Sequence, residues 1–179
     1  MTQRVLAAFT TARLLLRPFR PEDIDQAFAL FADPEVMKYS VAGADSDRAA
    51  TEARLARYQR DYERDGFGVF AMVDRGPGRL VGIAGLRRLE HGNEVELIYR
   101  LRRDKWGQGF ASEAVSALID RGFRELGLRR IFAFIEPENL ASQRAALRVG
   151  MAFVEDTLYE GMPVQSYVIT NPKGAERAA

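Results

Sequence analysis

The stretch RDKWGQGFASEAV, residues 103–115, places two glycines around one glutamine immediately before an apolar segment with helical periodicity. Residues 93–101 read as a strand, so the stretch predicts a turn from a strand into a helix. A helix start offers unpaired N–H groups and a partial positive charge, and glycine lets an anion approach the backbone closely. The stretch therefore predicts a phosphate-binding turn. A tight strand–helix corner without a ligand is the alternative.

Three kinds of phosphate site can be compared with this turn. A Walker P-loop is excluded because no Gly-Lys-Ser/Thr follows the glycines. A dinucleotide fingerprint fits poorly, since Ser112 stands where a third glycine belongs and the preceding strands form a meander. The remaining interpretation is a pyrophosphate site for coenzyme A. The segment RLRRDK at 100–105 favours it, because a ligand with a pyrophosphate and a 3′-phosphate suits local positive charge; a solvated basic strand end is the alternative.

Composition limits the other function classes. The 179 residues are 47% hydrophobic and 28% charged, which is typical of one globular domain, predicted at 1–170 with a polar tail at 171–179. A net charge of +1 argues against a nucleic-acid or membrane partner, and no segment approaches the ~20 apolar residues of a membrane span. The absence of cysteine excludes a cysteine nucleophile and fits a reducing cytoplasm. No His, Asp and Glu cluster has metal-ligand spacing, so no metal is expected.

Periodicity predicts a mixed α/β fold around one mostly antiparallel sheet. Strands are expected at 11–18, 66–74, 79–87, 93–101, 130–136, 151–159 and 163–170. Four helices are expected, the first opened by Pro21 and stopped by Pro34, the others at 47–64, 110–126 and 139–149. Because the links at 76–78 and 90–93 are short, the three strands they join should pair antiparallel.

Three segments together resemble the GNAT N-acetyltransferase superfamily, and within it the RimJ/RimL-like branch of ribosomal-protein N-terminal acetyltransferases. They are TTARLLLRPFRPEDIDQAFALFADPEVMKY (10–39), EVELIYRLRRDKWGQGFASEAVSALIDRGF (94–123) and RIFAFIEPENLASQRAALRVGM (130–151). The resemblance implies a GNAT-like fold with splayed central strands and acetyl transfer from acetyl-CoA to a primary amine, either a protein N-terminus or a small molecule. It is compatible with a homodimer. A catalytically silent acyl-CoA-binding module is the alternative.

The resemblance also assigns cofactor-binding residues. The superfamily motif Gln/Arg-x-x-Gly-x-Gly/Ala falls on residues 106–111, with Trp106 where the general motif has Gln or Arg. It implies that backbone N–H groups hold the pyrophosphate and that Ser112 adds a hydroxyl at the helix start. The residues assigned in this way are Leu101, Arg102, Arg103, Trp106, Gly107, Gln108, Gly109, Phe110, Ala111, Ser112, Asn139 and Ser142.

Two residues receive catalytic roles from the same resemblance. VELIY at 95–99 matches the glutamate-bearing strand of the branch, which makes Glu96 the candidate base for the amine proton. ENLAS at 138–142 makes Ser142 the candidate proton donor to the thiolate and Asn139 a contact of the pantetheine arm. Because the chain has no cysteine, direct attack in a ternary complex is expected. A backbone N–H near residues 98–101 is expected to polarise the thioester carbonyl.

Each of these side chains also has a structural interpretation. Alternation along 94–100 is equally typical of a solvated strand face, which would leave Glu96 without a role. Asn139 can simply cap a helix, and Ser142 can be an ordinary first-turn residue. The single histidine, His91, is expected in an exposed turn. Three aromatic residues that could line an acceptor pocket receive no role, because such residues are more often core: Tyr39, Phe67 and Tyr159.

Overall fold

The chain forms one eight-stranded sheet in the computed structural model, which describes residues 4–89 and 94–172. The strands lie side by side in the order β1-β2-β3-β4-β5-β6-β8-β7. Their bounds are β1 Phe9–Thr10, β2 Leu14–Arg17, β3 Val69–Asp74, β4 Leu80–Arg88, β5 Val95–Leu101, β6 Arg130–Ile135, β7 Ala152–Tyr159 and β8 Met162–Thr170. The predicted turn at 90–93, with His91, and positions 173–179 of the predicted tail lie outside the described residues.

The described residues contain five α-helices, so the expectation of four is wrong. They are α1 Ile24–Phe31, α2 Pro34–Met37, α3 Arg48–Asp65, α4 Phe110–Arg121 and α5 Leu140–Arg148. The additional helix is α2. Its first residue is Pro34, whose missing N–H costs nothing at a helix start, and the Asp33 carboxylate accepts the Glu35 N–H at 3.0 Å. Pro34 therefore begins a helix, whereas α1 has already ended at Phe31.

The central part of the sheet has the predicted antiparallel meander. Strands β3, β4 and β5 pair antiparallel in sequence order. Strands β5 and β6 are paired in parallel, and they are paired much less extensively. Glu96–Phe132 is the one registered residue pair between the described residues of the two strands, and no pair follows it. The two central strands are thus joined near the start of β5 and leave an opening towards its end, as the expected splay requires.

Two apolar clusters cover the two faces of the sheet. One contains residues of α1 and α3 together with Val69, Ala71 and Ile83, and Ile98 packs against it. The other contains the apolar side of α4 together with Leu97 and Leu101. Because successive strand residues point to opposite faces, β5 presents its even-numbered side chains towards α3 and its odd-numbered side chains towards α4. This alternation separates the functional residues of β5 into two groups.

Candidate active site

The glycine turn exposes the start of α4. Gly107 and Gly109 have φ angles of 71° and 80°, and both residues are exposed. Gly109 is the N-cap of α4, and no side chain caps the helix there. A Cβ atom at Gly107 would meet nothing within 4 Å, so the space in front of the turn is open. The first-turn N–H groups therefore face a place that an anion can occupy.

A charged cluster that the sequence interpretation missed holds this turn in place. The Glu113 carboxylate accepts hydrogen bonds from the Thr11 hydroxyl at 2.5 Å, the Arg13 N–H at 2.8 Å and the Arg13 Nε at 2.7 Å. Arg13 Nη1 also donates to the Gln108 carbonyl at 2.9 Å. Burial raises the pKa of Glu113, but the hydrogen bonds from Thr11 and Arg13 outweigh it and lower the pKa overall. The turn is therefore fixed to the start of β2 by an ionised carboxylate.

The basic residues expected to contact phosphates are paired with carboxylates. Arg102 Nε lies 3.0 Å from Asp104, and Arg103 Nε lies 2.8 Å from Asp33. Their side chains are 38% and 59% exposed, and such solvent-exposed pairs contribute little stability. Both arginines can therefore exchange their carboxylate partner for a phosphate at low cost.

Two side chains of the turn bond back to the adjoining backbone. Trp106 Nε1 donates to the Leu101 carbonyl at 2.9 Å, and Gln108 Nε2 donates to the Asp104 carbonyl at 2.6 Å. Trp106 nevertheless remains 49% exposed. A tryptophan at this position thus stabilises the turn through its indole N–H, and its backbone N–H donates to the Arg103 carbonyl at 3.1 Å.

Asn139 and Ser142 meet at the start of α5, opposite the odd-numbered face of β5. Asn139 Oδ1 accepts the Ser142 N–H at 3.2 Å, so Asn139 does cap the helix. The Ser142 hydroxyl interacts with the Tyr99 phenol, whose pKa is raised by burial and lowered to a smaller extent by Ser142. The sequence pattern around Ser142 does not reveal this tyrosine, because Tyr99 comes from the neighbouring strand β5.

Glu96 points to the other face and is buried. Its side chain is only 3% exposed, so the solvated-face alternative is wrong for this residue. Arg87 Nε donates to the carboxylate at 2.5 Å, and the Tyr159 hydroxyl donates to it at 3.3 Å. Burial raises the pKa of Glu96 despite the opposing charge of Arg87. Burial and the Glu96 charge likewise raise the pKa of Tyr159 to about 12.

Glu96 borders a cavity of about 500 Å³ between α3 and the sheet. The ring of Tyr159 stacks on Phe134 at a centroid distance of 4.6 Å and closes one side. Tyr39 lines the cavity as well, whereas Phe67 is buried in the core. Two of the three aromatic residues that received no role thus lie at the site. Their positions depend on long-range packing, which no local pattern reports.

The described ranges contain no group of three or more His, Cys, Asp or Glu residues that could hold a metal ion. No helix in those ranges is long and apolar enough to cross a bilayer.

Comparison with solved structures identifies the fold. The chain shares the fold of the acetyltransferase from Agrobacterium tumefaciens str. C58, which superposes with a TM-score of 0.82 at 23% identity. The superposition covers 96% of this chain and 98% of that one. RimL, a ribosomal L7/L12 alpha-N-protein acetyltransferase in complex with coenzyme A, superposes with a TM-score of 0.78 at 17% identity, covering 91% and 97%.

Sequence comparison identifies the family. Residues 13–152 match the acetyltransferase (GNAT) domain, so this chain belongs to the GNAT acetyltransferase family. It is 38% identical over 135 residues to the uncharacterized N-acetyltransferase p20 of Bacillus licheniformis, covering 74% of this chain and 75% of that protein. The resemblance inferred from the sequence is confirmed at the level of the family, and the chain is an acetyltransferase.

Proposed function

We propose that this acetyltransferase uses acetyl-CoA and transfers its acetyl group to a primary amine by direct attack in a ternary complex. The observation that carries the proposal is the opening between β5 and β6 beyond the Glu96–Phe132 pair. The glycine turn and α5 lie towards one face of the sheet at this opening, and buried Glu96 faces the other. A thioester lying in the opening would be reached by cofactor-binding groups from one side and by an amine from the other.

Strand register indicates which backbone donor would polarise the thioester carbonyl. The Leu89 N–H donates to the Glu94 carbonyl, and the Arg102 N–H donates to the Val81 carbonyl. Backbone groups of alternate residues in an antiparallel pair point the same way, so even-numbered residues of β5 bond to β4. The N–H of Tyr99 then points towards β6, beyond the last registered pair. This N–H is our candidate oxyanion donor.

The proposed base is Glu96. It would accept the proton of the attacking amine directly or through one water, and burial tunes it for this role by raising its pKa towards the working pH. Arg87 holds the carboxylate in one orientation through a hydrogen bond and an ion pair. Removal of the amine proton produces the neutral nucleophile at the face where the cavity opens.

The coenzyme would lie along the other face. We assign its pyrophosphate to the turn at 106–111 and to Ser112, its 3′-phosphate to Arg102 and Arg103, and its pantetheine arm to Asn139. RimL, which shares the fold, is in complex with coenzyme A, and this supports both the cosubstrate and membership of the RimJ/RimL-like branch. A cytoplasmic location and a homodimer stay predictions.

Ser142 is the proposed proton donor to the departing thiolate, and its hydroxyl interacts with the Tyr99 phenol. Ser142→Ala should lower kcat roughly tenfold, below the 10²–10⁴-fold typical of a general acid, because the Tyr99 hydroxyl can still supply a proton. Steady-state kinetics on Ser142→Ala, Tyr99→Phe and the double variant would measure this. Ser116→Ala, an exposed serine of α4, is the matched control. A Ser142→Ala enzyme with unchanged kcat would contradict the assignment.

Acetyl-CoA should raise the melting temperature, because a ligand that binds only the folded state stabilises it by mass action. At 100 times Kd the gain is about 2.7 kcal/mol, equivalent to roughly 5–10 °C for a chain of this size. Dephospho-CoA should give a smaller shift if Arg102 and Arg103 contact the 3′-phosphate. Shifts with NAD or ATP and none with acetyl-CoA would contradict the proposal.

Thiol release from acetyl-CoA in the presence of a panel of amines and N-terminal peptides then distinguishes an enzyme from a silent module. We expect acetyl-CoA to bind and at least one acceptor to release free thiol. Binding without release across the whole panel would favour the acyl-CoA-binding module.

A further inference from the structure

The cavity beside Glu96 is rich in arginine. Its lining includes six arginines and four carboxylates, and no lysine or histidine among the described residues. The arginines are Arg54, Arg57, Arg64, Arg87, Arg88 and Arg100. A cavity with this charge balance attracts anions more readily than cations.

Several of these arginines already have carboxylate partners. Arg54 Nη2 lies 2.5 Å from buried Asp45, and Arg88 Nε lies 3.3 Å from Asp65. Arg87 is paired with Glu96. The charges of these guanidinium groups are therefore largely compensated within the protein, and they shape the walls of the cavity.

Arg57 and Arg100 have no ion pair among the described residues of the lining, and of these two only Arg100 is partly buried. Its side chain is half-buried at the cavity, and no carboxylate of residues 4–89 or 94–172 lies within 4.0 Å of its guanidinium. Burial lowers the pKa of Arg100, and the positive charge of Arg54 also lowers it, while Tyr58 and Glu136 act in the opposite direction. A partly desolvated cation without an ion pair is costly, and the Glu136 carboxylate acts on it only from beyond 4.0 Å.

We propose that the acceptor amine carries a carboxylate and that Arg100 binds this carboxylate while Glu96 receives the amine. The inference rests on the proposed function, because it assigns the cavity to the acceptor. The guanidinium group is suited to a carboxylate, since its planar fork forms two parallel hydrogen bonds with it.

Strand geometry sets the distance between the two groups of the acceptor. Glu96 and Arg100 lie four residues apart on β5, and a rise of 3.2–3.4 Å per residue separates their Cα atoms by about 13 Å. Both side chains project into the same cavity, with Ile98 between them. The carboxylate must therefore lie several bonds from the amine, as in a peptide with acidic residues directly after its N-terminus. The α-carboxylate of a free amino acid is too close to its own amine.

The preference for an acidic acceptor can be measured with three matched peptide amides: Ser-Glu-Glu-Leu, Ser-Gln-Gln-Leu and Ser-Lys-Lys-Leu. For the wild-type enzyme we expect kcat/KM to be roughly 10- to 100-fold higher for the acidic peptide than for the neutral one, through KM, and lowest for the basic one. Spermidine and free L-glutamate serve as a polycationic amine and a short amino acid, and both should be poor acceptors.

Arg100→Gln should bring the ratio of kcat/KM for the acidic peptide to kcat/KM for the neutral peptide close to one, and Arg100→Lys should restore part of the preference. Arg60→Gln, an exposed arginine of α3 outside the cavity lining, is the control and should keep the full preference. Melting temperatures of all variants would show that they fold.

Calorimetric binding of the acidic and neutral peptides to the CoA complex separates this inference from the proposed function. Tighter binding of the acidic peptide that is lost in Arg100→Gln supports the inference even if no peptide is turned over. Equal binding and equal kcat/KM of the two peptides, or a preference retained in Arg100→Gln, would overturn it. Turnover of peptides without an acidic preference would overturn the inference alone and leave acetyl transfer intact.

Discussion

Glu96→Gln should lower kcat roughly 10²–10⁴-fold, because the substitution removes a positioned base. Acetyl-CoA affinity should stay nearly unchanged, because the glutamine side chain has the same shape as the glutamate side chain. Glutamine can still accept the hydrogen bond that Arg87 donates to Glu96, so the local packing is kept. Calorimetry with acetyl-CoA and steady-state kinetics with an acceptor from the panel would measure the two parts separately.

The pH profile gives an independent readout of the same substitution. The pKa of Glu96 is raised above the ordinary value of 4.5, and a base works only when it is deprotonated. The acid limb of the wild-type kcat profile should therefore lie above pH 4.5 and disappear in Glu96→Gln, with partial recovery at high pH, where more of the amine is neutral. Glu94→Gln is the matched control directly before β5, since Glu94 is only partly buried and pairs with Arg130. A Glu96→Gln enzyme within about twofold of wild type at neutral pH would contradict the assignment.

Gly109→Val should weaken acetyl-CoA binding roughly 10- to 100-fold, because the turn would lose charge-assisted hydrogen bonds to the pyrophosphate. A Cβ atom at Gly109 lies 3.4 Å from Arg13 Nη2, and the φ angle of 80° disfavours a branched side chain. The substitution therefore occupies the approach to the helix start and disturbs the turn that Arg13 and Glu113 hold.

Folding strain must be separated from this loss of binding. Gly78→Val is the matched control, because Gly78 has a φ of 69°, open space around its Cβ position and a place in the β3–β4 turn, away from α4. Both variants should lose similar stability on thermal melting, but only Gly109→Val should lose cofactor affinity. A folded Gly109→Val protein with wild-type affinity would mean that the turn is only a strand–helix corner.

Much of the architecture was predictable from short segments. The glycine turn before α4 and the meander of β3 to β5 could be predicted, because each depends on residues close together in the sequence. The family could be predicted because three separate segments resemble it together. The same local patterns failed at α2, where Pro34 was expected to stop a helix and instead starts one. Strand β1, with only the two residues Phe9–Thr10, is too short for alternation to reveal it.

Local patterns are sufficient to identify the residues that surround the turn and the strand that carries the candidate base, since periodicity and glycine chemistry are local. Long-range packing sets the partners: Arg13 with Glu113, Tyr99 with Ser142, and Arg87 and Tyr159 with Glu96. It also buried Glu96 and left Arg100 without an ion pair at the cavity. The physical reason is that burial and charge pairing depend on residues that are distant in the chain and are brought together only when the sheet assembles.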